Sequence, residues 1–574
     1  MKLRFWSKKS AERSNASGPI ALEGGHKERS EQAGNRIIMI MAVIGLFYAT
    51  LVGKLLWLGL QDEKSASFHR VADLSTSASR PKLLDRNGNV LAMDIKMVSL
   101  FAEPKRIEEA DEAVELLSTV LPDLNYKKIH KWLSGNSAFK WIKRELTPKQ
   151  QSDILALGIP GIGFRSENRR FYPGGATASH VLGHVDIDNK GIAGVEKYLD
   201  DNGLADLHSA GFAIKGDLEP VTMSIDLRVQ HVLHDELSEA MKRYQAIAAG
   251  AVVLDVHTGE VRAMVSLPDF DPNDPKLANR KDRLNRMSAG LYEMGSTFKT
   301  FTSAMALDSG KIRITDSFDA SRPLQIGRFK IKDFHGKRRS LSVPEIFIYS
   351  SNIGTAKMAR KIGIKAHKEF LTRLGLLTRL KGFELPEVAS PHQPKKWKQI
   401  NSATISFGHG VMTTPLQTAV AAAALMNGGK LIPPTLFPRS REEADKIGKR
   451  VVSEKTSGLM RYLFRLNALK GSGRKAKVPG YLVGGKTGTA EKVVRGRYSS
   501  AKRFNAFLSA FPMNDPQYVV LVVIDEPKPE KGRRYATAGW NAAPTVAAIV
   551  KRAGPLLGVQ PDFRARDTAV LSAY

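Results

Sequence analysis

The stretch Ala251-Val252-Val253-Leu254-Asp255-Val256-His257-Thr258-Gly259-Glu260-Val261-Arg262-Ala263-Met264-Val265-Ser266 decides the fold. Two Val-rich runs flank a His-Thr-Gly turn, which is the pattern of a β-hairpin. Just upstream, Val229, Leu233, Leu237, Ala240 and Tyr244 recur every three or four residues and predict a helix beginning near Asp226. Far downstream, Leu482–Ala490, Phe504–Phe511 and Tyr518–Asp525 read as further strands, and Ala542–Ala553 as a closing helix. The region 296–475 is largely helical in pattern. Strands at both ends with helices between them predict an α+β domain, an antiparallel sheet assembled from distant segments and flanked by helices.

At 574 residues the chain has room for two or three domains. Its 87 Lys and Arg against 57 Asp and Glu leave a formal charge of +30, which favours anionic partners such as nucleic acid, acidic lipid or a carboxylate-rich wall polymer. No zinc-knuckle spacing, aromatic RNA-binding strand motif or compact basic arm accompanies that charge, so nucleic acid is not expected as a partner. The absence of cysteine excludes disulfides, thiolate metal sites and thiol nucleophiles.

Residues 37–53 are uncharged and mostly apolar, and after Lys54 the apolar run continues to Leu60. A span of roughly 20 residues crosses a bilayer, so 37–60 is expected to be a transmembrane anchor, with Lys54 snorkelling beside Trp57. Residues 1–36 carry eight Lys or Arg, whereas 61–80 carry only Lys64, Arg70 and Arg80. The positive-inside rule then places 1–36 in the cytoplasm as a tail and everything from 61 onward outside. Ser65-Ala66-Ser67 offers a cleavage site for the alternative, a removed leader, but the preceding tail is long for one. Between 61 and 220 short apolar runs alternate with Gly and Pro, with one helix expected around Glu109–Val120, which reads as an elongated module without evident chemistry of its own.

The chemistry lies further on. Ser296-Thr297-Phe298-Lys299 sets a hydroxyl and an amine three residues apart, within reach on one helix face, where a neutral lysine could activate the serine. The same spacing occurs at Ser79–Lys82, Ser137–Lys140 and Ser472–Lys475, and these are expected to be accidental. Ser296 stands out by its setting: Gly295 precedes it, Phe298, Phe301 and Met305 form an apolar stripe behind it, and Gly310 follows as a helix stop. A serine at a helix N-terminus meets free backbone N–H groups suited to developing negative charge. Ser350-Ser351-Asn352 follows 54 residues later, and Lys486-Thr487-Gly488-Thr489 a further 136 later, on an apolar strand after two glycines. Singly, each has a bland reading: a capping serine, solvated lysines, a turn, ordinary strand threonines. The ordered set is what carries weight. His180 and His409 lack any H-x-x-x-H or H-E-x-x-H pairing, so no metal is assigned, and no cofactor is expected.

The ordered S-x-x-K, S-x-N and K-T-G motifs resemble those of class B penicillin-binding proteins, the septal peptidoglycan D,D-transpeptidase type. The resemblance extends from the anchor to about residue 550. It includes Asp85-Arg86-Asn87-Gly88 ahead of Leu91-Ala92, and Arg169-Arg170-Phe171-Tyr172-Pro173 ahead of His180 and Gly183. It also includes Gly191, Gly194 and Glu196, Ser224-Ile225-Asp226, Ser406-Phe407-Gly408-His409-Gly410, and Thr414-Pro415-Leu416-Gln417. Met294 departs from the usual Pro before Gly295, and Pro81 from the usual Gly after Arg80, which puts local loop geometry in question.

The resemblance implies a single transmembrane helix over 37–60, an elongated pedestal (dimerisation-type) domain over 61–220, a transpeptidase domain with a five-stranded antiparallel sheet over 221–555, and a C-terminal tail over 556–574. It implies peptidoglycan stem peptides ending in D-Ala-D-Ala, carried on lipid-linked precursor strands, as substrate, with Ser296 as nucleophile and Lys299 as its base. Ser350 and Asn352 would shuttle a proton and hold the peptide, Lys486 would tune the site, and Thr487, Gly488 and Thr489 would bind the substrate. β-Lactams would acylate Ser296. The pedestal glycines, Arg169, Arg170 and Glu196 are expected to be structural. Inner-membrane localisation and a multi-span septal glycosyltransferase among other division proteins as partners follow from the same resemblance. Asn352 and Gly539-Trp540-Asn541-Ala542-Ala543-Pro544 favour the division type over the elongation type. A hydrolase or a non-catalytic β-lactam sensor would share the pocket; the absence of an E-x-x-L-N segment after Asn352 and the single span weigh against them.

Overall fold

The computed structural model describes residues 39–54, 79–204, 218–494, 496–532 and 535–564. Residues 39–54 form an exposed helix in a unit of their own, and the chain from 76 onward forms a second unit. The remainder of the expected anchor, positions 37–38 and 55–60, lies outside the described residues, as do the cytoplasmic tail, Ser65-Ala66-Ser67 and positions 565–574. Among the described residues no helix is long and apolar enough to cross a membrane.

In the second unit the chain first builds a five-stranded sheet in which Val90–Ala102 pairs antiparallel with both Lys140–Leu146 and Ile162–Phe171. The expected helix appears as Ala110–Val120 and packs Val114 and Leu117 into a small separate core. Leu83–Leu84 pairs with Val221–Thr222 in parallel, so the start and end of this region meet beside the next domain. Asp85 fixes that junction: its carboxylate accepts N–H groups from Asn87, Asn89 and Leu227 at 2.8, 2.8 and 3.1 Å. Arg80 and Arg170 flank Glu196, at 2.8 and 2.7 Å, all three buried, and Asp94 and Asp200 complete the charge balance. Burial pushes the Glu196 carboxyl up, but Arg170 and Arg80 outweigh it and hold it below the ordinary carboxylate range. Arg169 pairs with Glu145 at 3.0 Å.

The second sheet is the scaffold of the site. Its strands are β1 (Ala248–Asp255), β2 (Val261–Leu267), β3 (Gly484–Val494), β4 (Arg497–Phe511) and β5 (Tyr518–Asp525), ordered β3-β4-β5-β1-β2 and antiparallel throughout. Along β5 the side chains alternate between two cores: Val520, Val522 and Ile524 face one layer, Val519, Leu521 and Val523 the other. A central strand covered on both faces reads as a continuous apolar run, as this one does. Helices α1 (Leu227–Tyr244) and α6 (Ala542–Leu556) cover one face. Asp226 caps α1 by accepting the Arg228 N–H at 3.0 Å, and Gln245 ends it in a left-handed conformation at φ 46°.

The other face is covered by α2 (Lys299–Asp308), α3 (Asn352–Ile362), α4 (Pro415–Met426) and α5 (Glu454–Lys470). Every residue of α4 is buried, which suits a helix of Ala, Leu and Val with no charge on any side. Thr414 and Gln417 form its capping box and Pro415 its first turn. The insertion between β2 and β3 is mostly helical as expected, but it also holds two small hairpins, Ser317–Asp319 with Ser340–Ser342 and Leu324–Ile326 with Phe329–Ile331. These three-residue strands are too short to show a periodicity.

Candidate active site

Ser296 does not open an α-helix directly. It lies in a single 3-10 turn, Gly295–Phe298, that runs into α2. Phe298, Phe301 and Met305 are buried behind it, and α2 ends at Asp308 with Gly310 in left-handed backbone at φ 69°. The turn is wedged between two strips of backbone. A Cβ on Gly408 would fall 2.0 Å from the Gly295 carbonyl oxygen, and one on Gly488 would fall 2.5 Å from that of Met294. Only glycine permits either approach, and Gly408 also holds φ 85°. Ser296 is thereby set beside the Gly488–Thr489 backbone of β3 and remains half-buried.

Lys299, itself buried, points from the first residue of α2 toward the half-buried Ser350 and Asn352. Its Nζ donates to the Ser350 carbonyl at 2.5 Å, the Ser350 hydroxyl at 3.0 Å and Asn352 Oδ1 at 2.7 Å. None of these three bonds goes to Ser296. Lys486, also fully buried, reaches in from β3 and donates to the same Ser350 hydroxyl at 3.1 Å, with the Phe347 ring centroid 5.8 Å from its Nζ. Burial pushes Lys486 down to about 7. Burial, joined by the charge of Lys486, holds Lys299 well below the ordinary lysine range, with Asp333 pulling the other way. Two cationic side chains thus converge on one hydroxyl with no carboxylate in direct contact, an arrangement that favours loss of a proton from one lysine.

Ser350 sits at φ 58°, a conformation uncommon for a residue with a side chain and frequent at functional sites. The neighbouring residues hold it there. Ser351 caps α3 by accepting the Gly354 N–H at 3.0 Å, and its hydroxyl donates to Asp333 at 2.7 Å. The other Asp333 oxygen accepts the Ile353 N–H at 2.9 Å, and Asn352 Nδ2 donates to the Lys332 carbonyl at 3.0 Å. Asp333 follows the second small hairpin and was not singled out from the sequence, because no spacing links it to residues 18 to 20 positions away.

On the opposite wall Thr489 Oγ1 accepts the Ala538 N–H at 3.1 Å. The Thr487 hydroxyl is 2.6 Å from that of Ser472. The Ser472 spacing was expected to be accidental, and as a serine–lysine pair it is, but the serine contacts the K-T-G strand. Its Lys475 partner turns away to lie 4.1 Å from the Trp540 ring centroid, but the serine itself joins the site. Asn467, fully buried at the end of α5, makes the placement: its Nδ2 donates to the Gly485 carbonyl at 2.6 Å, and its Oδ1 accepts the Ser472 N–H at 3.1 Å. Of the other matches, the Ser137 hydroxyl is spent on the Phe139 carbonyl at 2.9 Å in the first sheet region.

Among the described residues no group of three or more His, Cys, Asp or Glu side chains could hold a metal ion. The site brings together two buried amines held below the ordinary lysine range, one shared hydroxyl and a serine against a strand edge, which suits nucleophilic acyl transfer.

The chain is similar to known proteins over most of its length. The family described as penicillin binding protein transpeptidase domain matches residues 249–551, and the penicillin-binding protein dimerisation domain matches residues 75–203. A probable peptidoglycan D,D-transpeptidase FtsI of Caulobacter vibrioides is 39% identical over 542 residues, covering 91% of this chain and 89% of that one. The peptidoglycan D,D-transpeptidase FtsI of Escherichia coli K12 is 29% identical, covering 93% and 95%. A probable peptidoglycan D,D-transpeptidase PenA of Neisseria gonorrhoeae is 33% identical, covering 92% and 94%. The crystal structure of a peptidoglycan synthetase from Bifidobacterium adolescentis shares the fold, with a TM-score of 0.65 at 22% identity over 85% of this chain and 97% of that one.

Proposed function

This chain belongs to the penicillin-binding protein family with a transpeptidase domain, and from that membership we propose that it is a serine D,D-transpeptidase cross-linking peptidoglycan stem peptides at the division septum. The observation that carries the reading is the convergence of two buried lysines, Lys299 and Lys486, on Ser350 beside the wedged Ser296 turn.

Lys299, neutral when it has lost a proton, directs its freed lone pair to the Ser296 hydroxyl and takes its hydrogen. Ser296 Oγ attacks the carbonyl of the penultimate D-alanine. The backbone N–H groups of Ser296 and Thr489 receive the oxyanion, as the wedge between the turn and β3 favours. The proton passes through Ser350 to the departing D-alanine nitrogen as the C–N bond breaks, leaving an ester on Ser296. The acceptor amine then attacks from the same side, giving its proton back along Ser350 as the ester C–O bond breaks and Ser296 regains its hydrogen. Asn352 holds the donor peptide, and Lys486 stabilises charge on Ser350. Thr487, Gly488 and Thr489 bind the terminal carboxylate along β3. A β-lactam presents the same carbonyl and acylates Ser296.

The remaining parts follow the same reading. Residues 37–60 anchor the chain in the inner membrane with 1–36 in the cytoplasm, 61–220 form the pedestal, 221–555 carry catalysis and 556–574 trail behind. A multi-span septal glycosyltransferase and other division proteins are the partners. Asn352, the Gly539–Pro544 segment and the relatives named FtsI support the division role over the elongation role.

The test is labelling of the full chain with a fluorescent penicillin, mapping the adduct by mass spectrometry, alongside Ser296→Ala. A stable adduct on Ser296 that the variant lacks is the expected result. Antibiotic consumed without a lasting adduct would mean a hydrolase, and antibiotic left intact would overturn the catalytic reading.

A further inference from the structure

Residues 320–339 lie between the two strands of the outer small hairpin and carry the inner one, Leu324–Ile326 with Phe329–Ile331. Leu324, Ile326 and Ile331 are buried, which seats the inner hairpin on the domain and leaves Gln325 and Lys330, paired on its other face, in solvent. The segment holds seven Lys or Arg and one acid, Asp333. We propose that it is a docking surface for the peptidoglycan strand, a glycan whose stem peptides carry carboxylates, and that it keeps the strand beside the serine; the inference rests on the transpeptidase reading.

Arg322, Arg328, Lys330, Lys332, Lys337 and Arg338 are all exposed, and among the described residues no ion pair engages any of them, whereas Arg339 pairs with Glu345 at 2.6 Å. The single carboxylate is turned inward, where its oxygens accept the Ser351 hydroxyl and the Ile353 N–H at 2.7 and 2.9 Å. Cations gathered without counter-charges repel one another, and an anionic polymer relieves that repulsion. A merely solvated charge run would explain the lysines but not the rings among them. Phe329 and Phe334 are 48% and 66% exposed, and the Arg328 guanidinium stands 5.3 Å from the Phe329 ring centroid. Exposed apolar rings mark interaction surfaces, and here they offer faces on which sugar rings stack while the cations pair with peptide carboxylates.

The position of the segment selects the polyanion. The Lys332 carbonyl accepts Asn352 Nδ2 at 3.0 Å, and Lys337 Nζ stands 4.7 Å from the ring centroid of Tyr349, the residue before Ser350. Phe334 reaches toward the opposite wall: its ring meets that of Tyr535 edge to face at 6.0 Å, and Tyr535 lies three residues before Ala538, whose N–H is bonded to Thr489. The segment therefore borders the groove between the Ser350–Asn352 turn and β3, along which a polymer lies when one of its peptides reaches Ser296. Neither a lipid surface nor a nucleic acid has cause to enter that groove. Exposed cations at its rim raise the local concentration of the strand and slow its escape between turnovers.

The test uses the full chain in phosphatidylcholine nanodiscs with Ser296 blocked by benzylpenicillin, titrated with fluorescently labelled, uncross-linked glycan strands bearing stem peptides. Saturable binding that weakens as salt rises is expected, and strands whose carboxylates have been amidated should bind about tenfold more weakly or worse. The triple variant Arg328→Gln, Lys330→Gln, Lys337→Gln should bind intact strands about tenfold more weakly, at about two- to threefold for each exposed charge pair. Lys127→Gln, Lys131→Gln, Lys149→Gln removes as many exposed cations from the first sheet region and should stay within about twofold of the parent. Both triples should react with benzylpenicillin within about twofold of the parent rate, which also reports that they fold. Absence of saturable binding by the parent, unchanged binding in the first triple, or equal losses in the two triples overturns the proposal. So does a first triple that keeps the strands but loses phosphatidylglycerol vesicles, which would make the surface a lipid contact. The penicillin adduct is read separately by mass: a chain that acylates normally but ignores the strands overturns only the docking surface, and one that never acylates yet binds strands through these cations overturns only the transpeptidase reading.

Discussion

The hydroxyls of Ser472 and Thr487 lie 2.6 Å apart, so the threonine proposed to bind the substrate carboxylate is oriented by a residue from the loop after α5. A hydrogen bond of this kind contributes about 0.5 to 1.5 kcal/mol. Ser472→Ala should therefore lower the second-order rate of acylation by benzylpenicillin about two- to tenfold, mostly through weaker initial binding. Ser137→Ala, in the first sheet region, should leave that rate unchanged.

Lys486→Met should move the pH profile of acylation in a defined direction. With neutral Lys299 as the proposed base, the rate should fall as pH drops through its pKa. The Lys486 charge helps hold that pKa down. Without it the Lys299 pKa rises and the acid limb moves to higher pH, in addition to a lower plateau. Lys486 also carries a stability signature. Its folded pKa of about 7 lies below its ordinary 10.5, so between those values the unfolded chain binds more protons and stability increases with pH. The burial penalty is greatest below about pH 7 and of the order of a few kcal/mol, at about 1.4 kcal/mol per unit. Lys486→Met should thus melt at a higher temperature at neutral pH while acylating poorly. An unchanged acid limb would remove the coupling between the two lysines.

Asp333→Asn should shift the same limb the opposite way. Asp333 is the carboxylate that raises the Lys299 pKa, so its loss lets that pKa fall and the limb move to lower pH. It also accepts from both Ser351 and Ile353. Asparagine keeps one acceptor of the two, which loosens the turn holding Ser350. The plateau rate should fall about tenfold, within the range for losing one charge-assisted hydrogen bond. Opposite shifts in the two variants distinguish charge effects on Lys299 from general damage.

Much of this was legible because the chemistry sits in short local motifs, and because β1, β2 and β5 are apolar runs of clear period. What was not legible depends on chain returning from a distance. Ser472 looked like a chance match, since its meeting with Thr487 is made by Asn467 bridging to the Gly485 carbonyl. Ser296 was expected on an α-helix, yet the close approach of Gly408 and Gly488 accompanies a tighter 3-10 turn. β4 was read from Phe504 but begins at Arg497, and β3 runs to Val494 rather than Ala490. Those ends form a polar two-stranded ribbon with no buried face to impose alternation, held in part by Lys492 on Asp525 at 2.9 Å.

Glu196→Gln should separate stability from chemistry. Glu196 is fully buried between Arg80 and Arg170, and removing its charge leaves Arg80 with only Asp200 and Arg170 with only Asp94 as an anionic partner. Breaking a buried pair in this way costs about 3 to 5 kcal/mol. Because its folded pKa lies below the ordinary 4.5, its contribution is complete above that value and is lost as pH falls through the folded one. The variant should melt earlier at neutral pH and lose less stability than the parent on acidification, while its acylation rate at low temperature stays near normal.

Gly408→Ala tests the wedge that positions Ser296. The new Cβ would fall 2.0 Å from the Gly295 carbonyl oxygen and 2.6 Å from its carbon, both backbone atoms, at a φ of 85° that alanine resists. On its Cβ side Gly295 faces the Thr489 backbone, where a Cβ would stand 3.1 Å away, which narrows the room for it to move. The turn must therefore shift, and misplacing a nucleophile by about 1 Å costs on the order of a hundredfold in rate. Gly310→Ala is the control: it has a similar left-handed φ of 69° but open space around it. Gly310→Ala should lose about 1 kcal/mol from backbone strain, and Gly408→Ala more than that, because the overlap with Gly295 adds to the strain. Only Gly408→Ala should also lose acylation, by about a hundredfold, and equal rates in the two would mean that Ser296 is held by something other than this contact.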